Sequence, residues 1–470
     1  MRYLYDLVIS GGYVVDPINR LNAKFDLGIK DGKIIAVSDS LDCSRTKQVV
    51  SANEKLVVPG IIDLHTHLSA RHNGACGHNM LVRAGITTTL EIAGPIDSVL
   101  PIAKYAGVGL NMAMLNQVHP GVTVKDKDPS AGELTKLIEE TLDSGGIGLK
   151  LLGGHFPLTP EAIERAIAIS YEATSYIAFH AGSTQTGSNL LGALEAIRLA
   201  AGRPLHLAHV NSYCRGYVED CISEAEKIIK ALIDNTNIRS ESYLSPLNGC
   251  SSHIIDGLPE SKVTQKCLEK GGYEVSADGM AAAIHDGWGR FNMVAGGENI
   301  LVSGVAAVAA WRAAKTKGSL AFSVNPLESR LRLASARRAD GRFVVDGIAT
   351  DGGGHVRNII IECGLPLVKL GAFSLTEFVI KTSSNPAKWL GLHDKGHLGI
   401  GADADITIID SQRCRATTTI IDGKVCMHDN VVCGSNTQVI TTARGVKAIN
   451  KYGLCSKVID VAATGYFKGM

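Results

Sequence analysis

Between residues 61 and 350 the sequence alternates short apolar runs with longer amphipathic segments. Segments with helical periodicity, such as residues 130–143 and 160–174, separate the runs. Strands that are apolar on both faces and alternate with helices form parallel sheets covered by helices. The pattern therefore predicts an α/β fold, and eight units favour a closed TIM-like (β/α)8 barrel over an open doubly wound sheet. The eight runs are residues 61–68, 87–93, 111–115, 147–152, 176–179, 204–210, 238–244 and 347–350.

Both ends of the chain have a different pattern, rich in β-forming residues. Asp31-Gly32 separates two such stretches near the N-terminus, and Asp422-Gly423 does the same near the C-terminus. An Asp-Gly pair between apolar segments is a strong hairpin signal. We therefore expect residues 1–58 and 395–470 to form one composite β-sandwich beside a barrel made of residues 59–394.

The segment between the seventh and eighth runs, at about 245–345, is too long for a simple connection. It contains a helical pattern over residues 300–316 and a glycine-rich polar stretch around residues 276–297. Two interpretations are open, either an insertion over the C-terminal mouth of the barrel or an extra helical layer.

The charge balance argues against a nucleic-acid partner, because 47 basic residues against 46 acidic ones give a net charge of +1. No apolar run reaches the roughly 18 residues needed to span a bilayer, so we expect no membrane partner. Residues 1–17 lack a secretory apolar region and cleavage site. Together with 11 scattered cysteines, this predicts a cytoplasmic protein with reduced thiols.

The first apolar run ends in His65-Thr66-His67. Side chains at positions i and i+2 of a strand share a face, so His65 and His67 point the same way. They lie near the C-terminal end of the strand, which is where barrel enzymes hold their active sites. Two converging imidazoles there predict a site for zinc or a similar divalent cation.

Two motifs resemble those of the amidohydrolase superfamily. Residues 59–67, Pro-Gly-Ile-Ile-Asp-Leu-His-Thr-His, are similar to its first-strand motif. Residues 384–387 (Ser-Asn-Pro-Ala) and 399–405 (Gly-Ile-Gly-Ala-Asp-Ala-Asp) are similar to its end-of-barrel signature. The two motifs bracket the whole predicted barrel, and neither is specific to a substrate.

The resemblance implies a six-residue site that binds two divalent cations, with zinc as the expected metal. Lys150 would be an N6-carboxylysine bridging the ions, as in hydantoinases and dihydroorotases, and a carbamate would also relieve the cost of burying a lysine. Asp351 would be the terminal aspartate that takes a proton from a metal-activated hydroxide and passes it to the leaving nitrogen. The implied metal-binding residues are His65, His67, Lys150, His180, His209 and Asp351.

Four further residues carry weaker expectations. His155 lies five residues after Lys150, where hydantoinases have a tyrosine, and it could polarise the scissile carbonyl. His355 is a candidate for contacting the substrate, by likeness to dihydroorotases, although Gly-Gly-Gly precedes it here. Glu91 and Cys76 correspond to metal-binding positions in some related deacetylases and deacylases, but Lys150 makes both roles less necessary.

The predicted function is hydrolysis of an amide-type C–N bond in a small molecule, with a cyclic amide or imide favoured. An N-acyl-amino-acid deacylase and a deaminase are alternatives, and a non-catalytic scaffold relative is a more distant one. We also expect a homo-oligomer, either a dimer or a tetramer.

Overall fold

The computed structural model describes residues 3–92 and 94–469, and its centre is a barrel of parallel strands. Closure is achieved by the eighth strand, which is split in two. Gly347–Ala349 pairs with the seventh strand and Gly352–Gly353 pairs with the first. All eight predicted runs therefore enter one closed (β/α)8 barrel, and Ala93, which ends the second run, lies outside the described residues. The first seven strands are Ile61–His67, Ile86–Glu91, Val108–Val118, Gly148–Leu152, Tyr176–His180, Leu205–Leu207 and Ile238–Tyr243.

A helix follows each barrel strand and packs its apolar face on the barrel. The third one begins at a capping box, in which Ser130 and Glu133 satisfy each other's backbone N–H groups. None of the described helices is long and apolar enough to cross a membrane. The eight helices are Gly74–Arg83, Ile96–Tyr105, Ala131–Asp143, Pro160–Glu172, Leu190–Ala200, Cys221–Asp234, Leu327–Ser335 and Ile360–Lys369. Leu375–Val379, Ile380–Ser384 and Asn385–Leu390 continue as one helical segment after the barrel.

Strands from both chain ends form a second, nine-stranded sheet. The two ends meet where Ile406–Asp410 pairs antiparallel with Leu56–Pro59. This sheet has its own core, to which both ends contribute, for example through Ile9 and Ile408. Its strands are Tyr5–Asp16, Leu21–Lys30, Lys33–Ser38, Thr46–Ser51, Leu56–Pro59, Ile406–Asp410, Arg415–Ile421, Lys424–His428 and Val431–Val432.

The last part of the chain leaves this sheet. Asn436–Thr441 pairs with the first half of barrel strand Val108–Val118 and with Cys455–Val458. Val446–Lys451 and Gly465–Lys468 are short helices in the same region. The second half of Val108–Val118 pairs with the fourth barrel strand. Val108–Val118 is therefore long enough to pair with Asn436–Thr441 along its first half and with the fourth barrel strand along its second half. The domain boundary predicted at residue 395 stays a prediction, and the strands beyond residue 435 extend the barrel sheet.

The Gly-Ala-Asp-Ala-Asp signature fastens the terminal sheet to the barrel. Asp405 is buried, forms an ion pair with Lys395 at 2.7 Å, and accepts a hydrogen bond of 2.9 Å from Asn111 Nδ2 on the third barrel strand. A buried carboxylate needs such partners to offset its desolvation. This motif is therefore structural and lies away from the chemistry.

The segment at 245–345 forms a small α/β unit with its own core around Trp311 and Phe322. Its four-stranded sheet has the order Asn248–Ser251, Ser319–Phe322, Gly289–Ala295 and Glu298–Val302. Ile254–Ile255 pairs with Leu258–Pro259, and the helices are Lys262–Gly271, Ala277–His285 and Gly304–Ala313. Residues of this unit line the cavity at the barrel mouth, and Leu327–Ser335 then packs against Cys221–Asp234 as the seventh barrel helix. The choice between an insertion over the mouth and an extra helical layer stays a prediction.

Candidate metal centre

A cavity of about 340 Å³ lies at the C-terminal ends of the barrel strands. The inserted unit forms one wall through Asn248, Gly249, Cys250 and Ser251. The structure brings every predicted site residue to this cavity. They are His65, His67, Lys150, His155, His180, His209, Asp351 and His355.

The first-strand histidines meet the eighth-strand aspartate. Asp351 Oδ1 lies 2.7 Å from His67 Nε2 and 3.2 Å from His65 Nε2. One ligand atom from each of the three residues lies within 4.8 Å of the others, which is close enough for one cation. The period-2 geometry of the first strand explains why both imidazoles arrive on the same side.

Glu241, on the seventh barrel strand, was missed by the sequence interpretation. Its Oε1 lies 2.6 Å from His65 Nδ1 and accepts a hydrogen bond of 2.7 Å from the backbone N–H of His209. Burial raises the pKa of Glu241, but His65 and His206 outweigh it and lower the pKa to about 2. The resulting carboxylate holds the Nδ1 proton of His65 and leaves Nε2 free to bind a metal. No local motif marks this role, because it depends on a contact across the barrel.

Replacing Glu241 by glutamine is expected to weaken metal binding by roughly tenfold to a hundredfold, because an amide fixes the His65 tautomer less firmly than a carboxylate does. Titration of the metal-free protein with zinc against a competing chelator measures this. The matched control is Glu195→Gln, since Glu195 accepts a hydrogen bond from Thr186 and does not line the cavity. An unchanged zinc affinity in Glu241→Gln would refute the positioning role.

Lys150 is the most unusual group in the cavity wall. It is 1% exposed, and its Nζ has no hydrogen-bond partner among the described residues. Burial lowers the pKa of Lys150 to about 8. The lysine therefore has an appreciable neutral fraction near neutral pH, and a neutral amine is the form that can react with carbon dioxide.

The fifth and sixth strands bring a second pair of imidazoles together. His209 Nε2 lies 3.1 Å from His180 Nδ1, and His180 Nε2 lies 2.8 Å from Ser188 Oγ. Burial holds the pKa of both histidines well below the usual value, so they are neutral and in the form that binds metals. His206 does not line the cavity. Its Nδ1 lies 3.0 Å from Tyr176 Oη, and its Nε2 lies 3.5 Å from Glu241 Oε1.

Asp351 has a cationic partner that the sequence did not reveal. Arg357 Nη2 lies 2.7 Å from Asp351 Oδ2, and both residues are buried. Burial raises the pKa of Asp351, but Arg357 and His65 outweigh it and hold the pKa well below the usual range. Asp351 is therefore a carboxylate whose second oxygen faces the two histidines.

The six candidate metal-binding side chains that line the cavity form a donor set suited to divalent cations. Within the six candidate metal-binding residues, three buried atoms have no hydrogen-bond partner among the described residues, namely His67 Nδ1, His209 Nδ1 and Lys150 Nζ. Buried polar atoms are rarely left in this state, and their clustering around one cavity indicates an absent partner. Four imidazoles, one carboxylate and a lysine that could become a carbamate match the ligand preferences of zinc.

The four weaker candidates differ in whether they line the cavity. His155 and His355 line the cavity, with the His155 ring 5.3 Å from the His180 ring and the His355 ring 5.3 Å from the His67 ring. Glu91 accepts backbone hydrogen bonds from Leu68 and Gly94 and does not line the cavity. Cys76 does not line it either. The roles considered for Glu91 and Cys76 therefore have no geometric support among the described residues.

Comparison with known proteins gives consistent matches. The model for the amidohydrolase family matches residues 269–426. A dihydroorotase of Pelotomaculum thermopropionicum is 26% identical over 91% of this chain and 99% of its own length. The structure of N-acyl-D-glutamate deacylase from Bordetella bronchiseptica, complexed with zinc and a phosphonate inhibitor, has a TM-score of 0.65 at 14% identity, covering 93% of this chain and 99% of its own. The structure of a D-hydantoinase has a TM-score of 0.60 at 17% identity, covering 92% and 98%.

The fold and the cavity at the strand ends define a barrel hydrolase of the metal-dependent type. These matches support the amidohydrolase superfamily for this chain. The resemblance predicted from the first-strand and end-of-barrel motifs is confirmed.

Proposed function

We propose that the protein is a metal-dependent hydrolase that cleaves the C–N bond of a cyclic amide or imide. The observation that carries this proposal is the convergence of six residues from five barrel strands on one cavity. The residues are His65, His67, Lys150, His180, His209 and Asp351. Likeness to a dihydroorotase over 91% of the chain and to the fold of a D-hydantoinase supports the cyclic substrate class.

The proposed cofactor is a pair of zinc ions. His65 and His67 would hold one ion with Asp351, His180 and His209 would hold the other, and an N6-carboxylated Lys150 would bridge them. When bound, the ions lower the pKa of water and polarise the scissile carbonyl. A carbamate on Lys150 would also give its buried Nζ the partners that it lacks.

The protein's own residues then supply positioning and proton transfer. Asp351 takes a proton from the attacking water on its carboxylate and delivers it to the leaving nitrogen. Arg357 keeps that carboxylate oriented through its 2.7 Å contact. Burial lowers the pKa of His155 to about 4, so this imidazole is neutral and can donate one N–H to the developing oxyanion. His355 is proposed to contact the substrate from the opposite wall.

A linear-amide deacylase is the second candidate function. The observation behind it is that an N-acyl-D-glutamate deacylase (TM-score 0.65) and a D-aminoacylase (0.63) share this fold as closely as D-hydantoinases do (0.60 and 0.62). Both candidates use the same proton transfer through Asp351. They differ in whether the leaving nitrogen stays attached to the product.

The deciding test is a hydrolysis screen with the zinc-loaded protein in bicarbonate buffer. We expect turnover of at least one class among hydantoins and dihydropyrimidines, and little turnover of N-acyl D- and L-amino acids. Activity on the N-acyl amino acids alone would replace the cyclic substrate class with the deacylase. No turnover of either type, together with a metal content near zero per chain, would refute the hydrolase and support a scaffold role.

Two further expectations belong to this proposal. All 11 cysteines are free thiols, which supports a cytoplasmic enzyme. A homodimer or homotetramer stays a prediction, and light scattering of the purified protein would measure it.

A further inference from the structure

The cavity holds a buried cation for which the metal site and proton transfer give no role. Arg215 follows the helical turn Val210–Tyr213, which comes directly after the sixth barrel strand. It is 5% exposed and lines the cavity. An arginine stays charged when buried, so its surroundings must compensate that charge.

Every hydrogen bond donated by the Arg215 guanidinium goes to a neutral oxygen. Nε donates to Asn325 Oδ1 at 2.7 Å, and Nη2 donates to Asn248 Oδ1 at 2.8 Å. Nη2 also lies 3.1 Å from both Ser212 Oγ and Tyr243 Oη. Nη1 donates no hydrogen bond to any residue that the structure describes. Among the described residues, no carboxylate lies within ion-pair distance of this guanidinium.

The rest of the cavity supplies no anion for Arg215. Arg71, Arg215 and Arg357 line the cavity, and Asp351 is the sole carboxylate among its described lining residues, while a carbamate on Lys150 would be bound to the metals. Asp351 is already paired with Arg357 at 2.7 Å. The titratable groups around Arg215 include the phenols of Tyr217 and Tyr243, the thiols of Cys214, Cys250 and Cys267, the imidazole of His180, and Lys270, whose Nζ donates to the Arg215 carbonyl. The wall around Arg215 is therefore complementary to an anion that comes from outside the chain.

Arg215 lies close to the candidate metal centre. Tyr243 connects the two, because its hydroxyl contacts Arg215 while its ring lies 4.9 Å from the Arg357 guanidinium and 6.3 Å from the His209 ring. A ligand in this cavity of about 340 Å³ can reach Arg215 and the metal-binding residues together. The molecule that fits is small and carries its charge a few bonds from the reacting group.

We propose that Arg215 and Asn248 form an acid-recognition subsite, and that the substrate of this enzyme carries a carboxylate which the Arg215 guanidinium binds. Arginine presents paired donors that match a carboxylate, and such charge-assisted hydrogen bonds are roughly twice as strong as neutral ones. Asn248 holds the guanidinium in place through its 2.8 Å contact. This inference rests on the proposed function, since it names the substrate class of the same cavity.

The test compares two compounds that differ only in charge, hydantoin-5-acetate and its methyl ester. Binding to the zinc-loaded wild-type protein is measured by calorimetry, and kcat and KM are measured wherever turnover occurs. We expect the acid to bind at least tenfold more tightly than the ester. In Arg215→Gln, affinity for the acid should fall by roughly tenfold to a hundredfold, while affinity for the ester changes less than twofold.

Arg330→Gln is the matched control. Arg330 is a half-buried arginine that donates hydrogen bonds to backbone carbonyls of the same region, including that of Asn325, and it does not line the cavity. It should keep the wild-type preference for the acid. Arg215→Lys retains the charge and should retain part of the preference, which covers the case in which Arg215→Gln fails to fold.

The outcomes distinguish this inference from the proposed function. Equal wild-type affinity for acid and ester overturns the acid subsite even if hydrolysis is observed. A preference for the acid that survives in Arg215→Gln overturns it as well. Selective, Arg215-dependent binding of the acid without any turnover would support the subsite and count against the hydrolase.

Discussion

Replacement of Lys150 by alanine is expected to abolish hydrolysis, with kcat/KM falling by roughly a thousandfold or more, since several kcal/mol of metal-derived stabilisation would be lost. The bound zinc should fall from two ions per chain to one or fewer. The physical reason is that the buried Lys150 Nζ has no protein partner, so the group that satisfies it in the working enzyme is proposed to be the carbamate and its metals. Metal analysis and steady-state rates on the best substrate of the screen measure both effects.

Chemical rescue of Lys150→Ala provides a second test of the bridging role. A small carboxylic acid such as acetate or propionate can occupy the space that the side chain leaves and restore part of the metal bridge. Added to Lys150→Ala with zinc, it should recover a measurable part of the activity, and it should have no such effect on the wild-type enzyme. Full activity and two metals in Lys150→Ala without any added acid would refute the bridging role.

Lys381 provides the matched control. It is also a fully buried lysine, and burial lowers its pKa to about 7. Its Nζ, however, donates to the carbonyls of Ala334 at 2.7 Å and Val345 at 3.0 Å. Lys381→Met should therefore lower the free energy of unfolding by about 1–3 kcal/mol and leave the zinc content unchanged. Loss of zinc in both variants would indicate a general effect of removing a buried lysine.

The second large effect is expected from Asp351→Asn. An amide cannot take a proton from water, so kcat should fall by roughly a hundredfold to ten-thousandfold. Asparagine has nearly the same shape and can still accept a hydrogen bond from Arg357, so the fold should be kept. Rates under saturating substrate, together with the thermal unfolding temperature, separate lost chemistry from lost structure.

Asp346→Asn is the control for this experiment. Asp346 is a buried aspartate just before the same barrel strand, at the opposite end from the cavity, and it accepts a hydrogen bond of 2.9 Å from the backbone N–H of Ser240. Asparagine can accept the same bond, and kcat should stay within about twofold of wild type because the site is remote. An Asp351→Asn enzyme that retains wild-type kcat would show that another group moves the proton.

Most of the fold prediction came from local patterns of apolar and polar residues in the sequence. Apolar runs of strand length alternating with helical periodicity specify a helix-covered parallel sheet, and each run forms a barrel strand in the structure. The inserted segment was harder to interpret, because a small antiparallel sheet such as Asn248–Ser251 with Ser319–Phe322 joins residues far apart in sequence. The strand Asn436–Thr441 is a similar case, since its partner in the barrel lies more than 300 residues earlier.

Apolar runs alternating with helical segments predicted the barrel, and the family resemblance of the first-strand and end-of-barrel motifs implied the six candidate metal-binding residues, which lie on or just after five barrel strands. Parallel strands of a barrel bring their C-terminal ends to one rim, so separate local signals are enough to predict a common site. The pairing of the buried charges is visible only in the folded structure. Glu241 beside His65 and the neutral partners of Arg215 depend on contacts between distant segments, and Arg357 meets Asp351 through the conformation of the short loop that joins them. Burial and pairing set the energy of a charge, and neither property can be read from its neighbours in sequence.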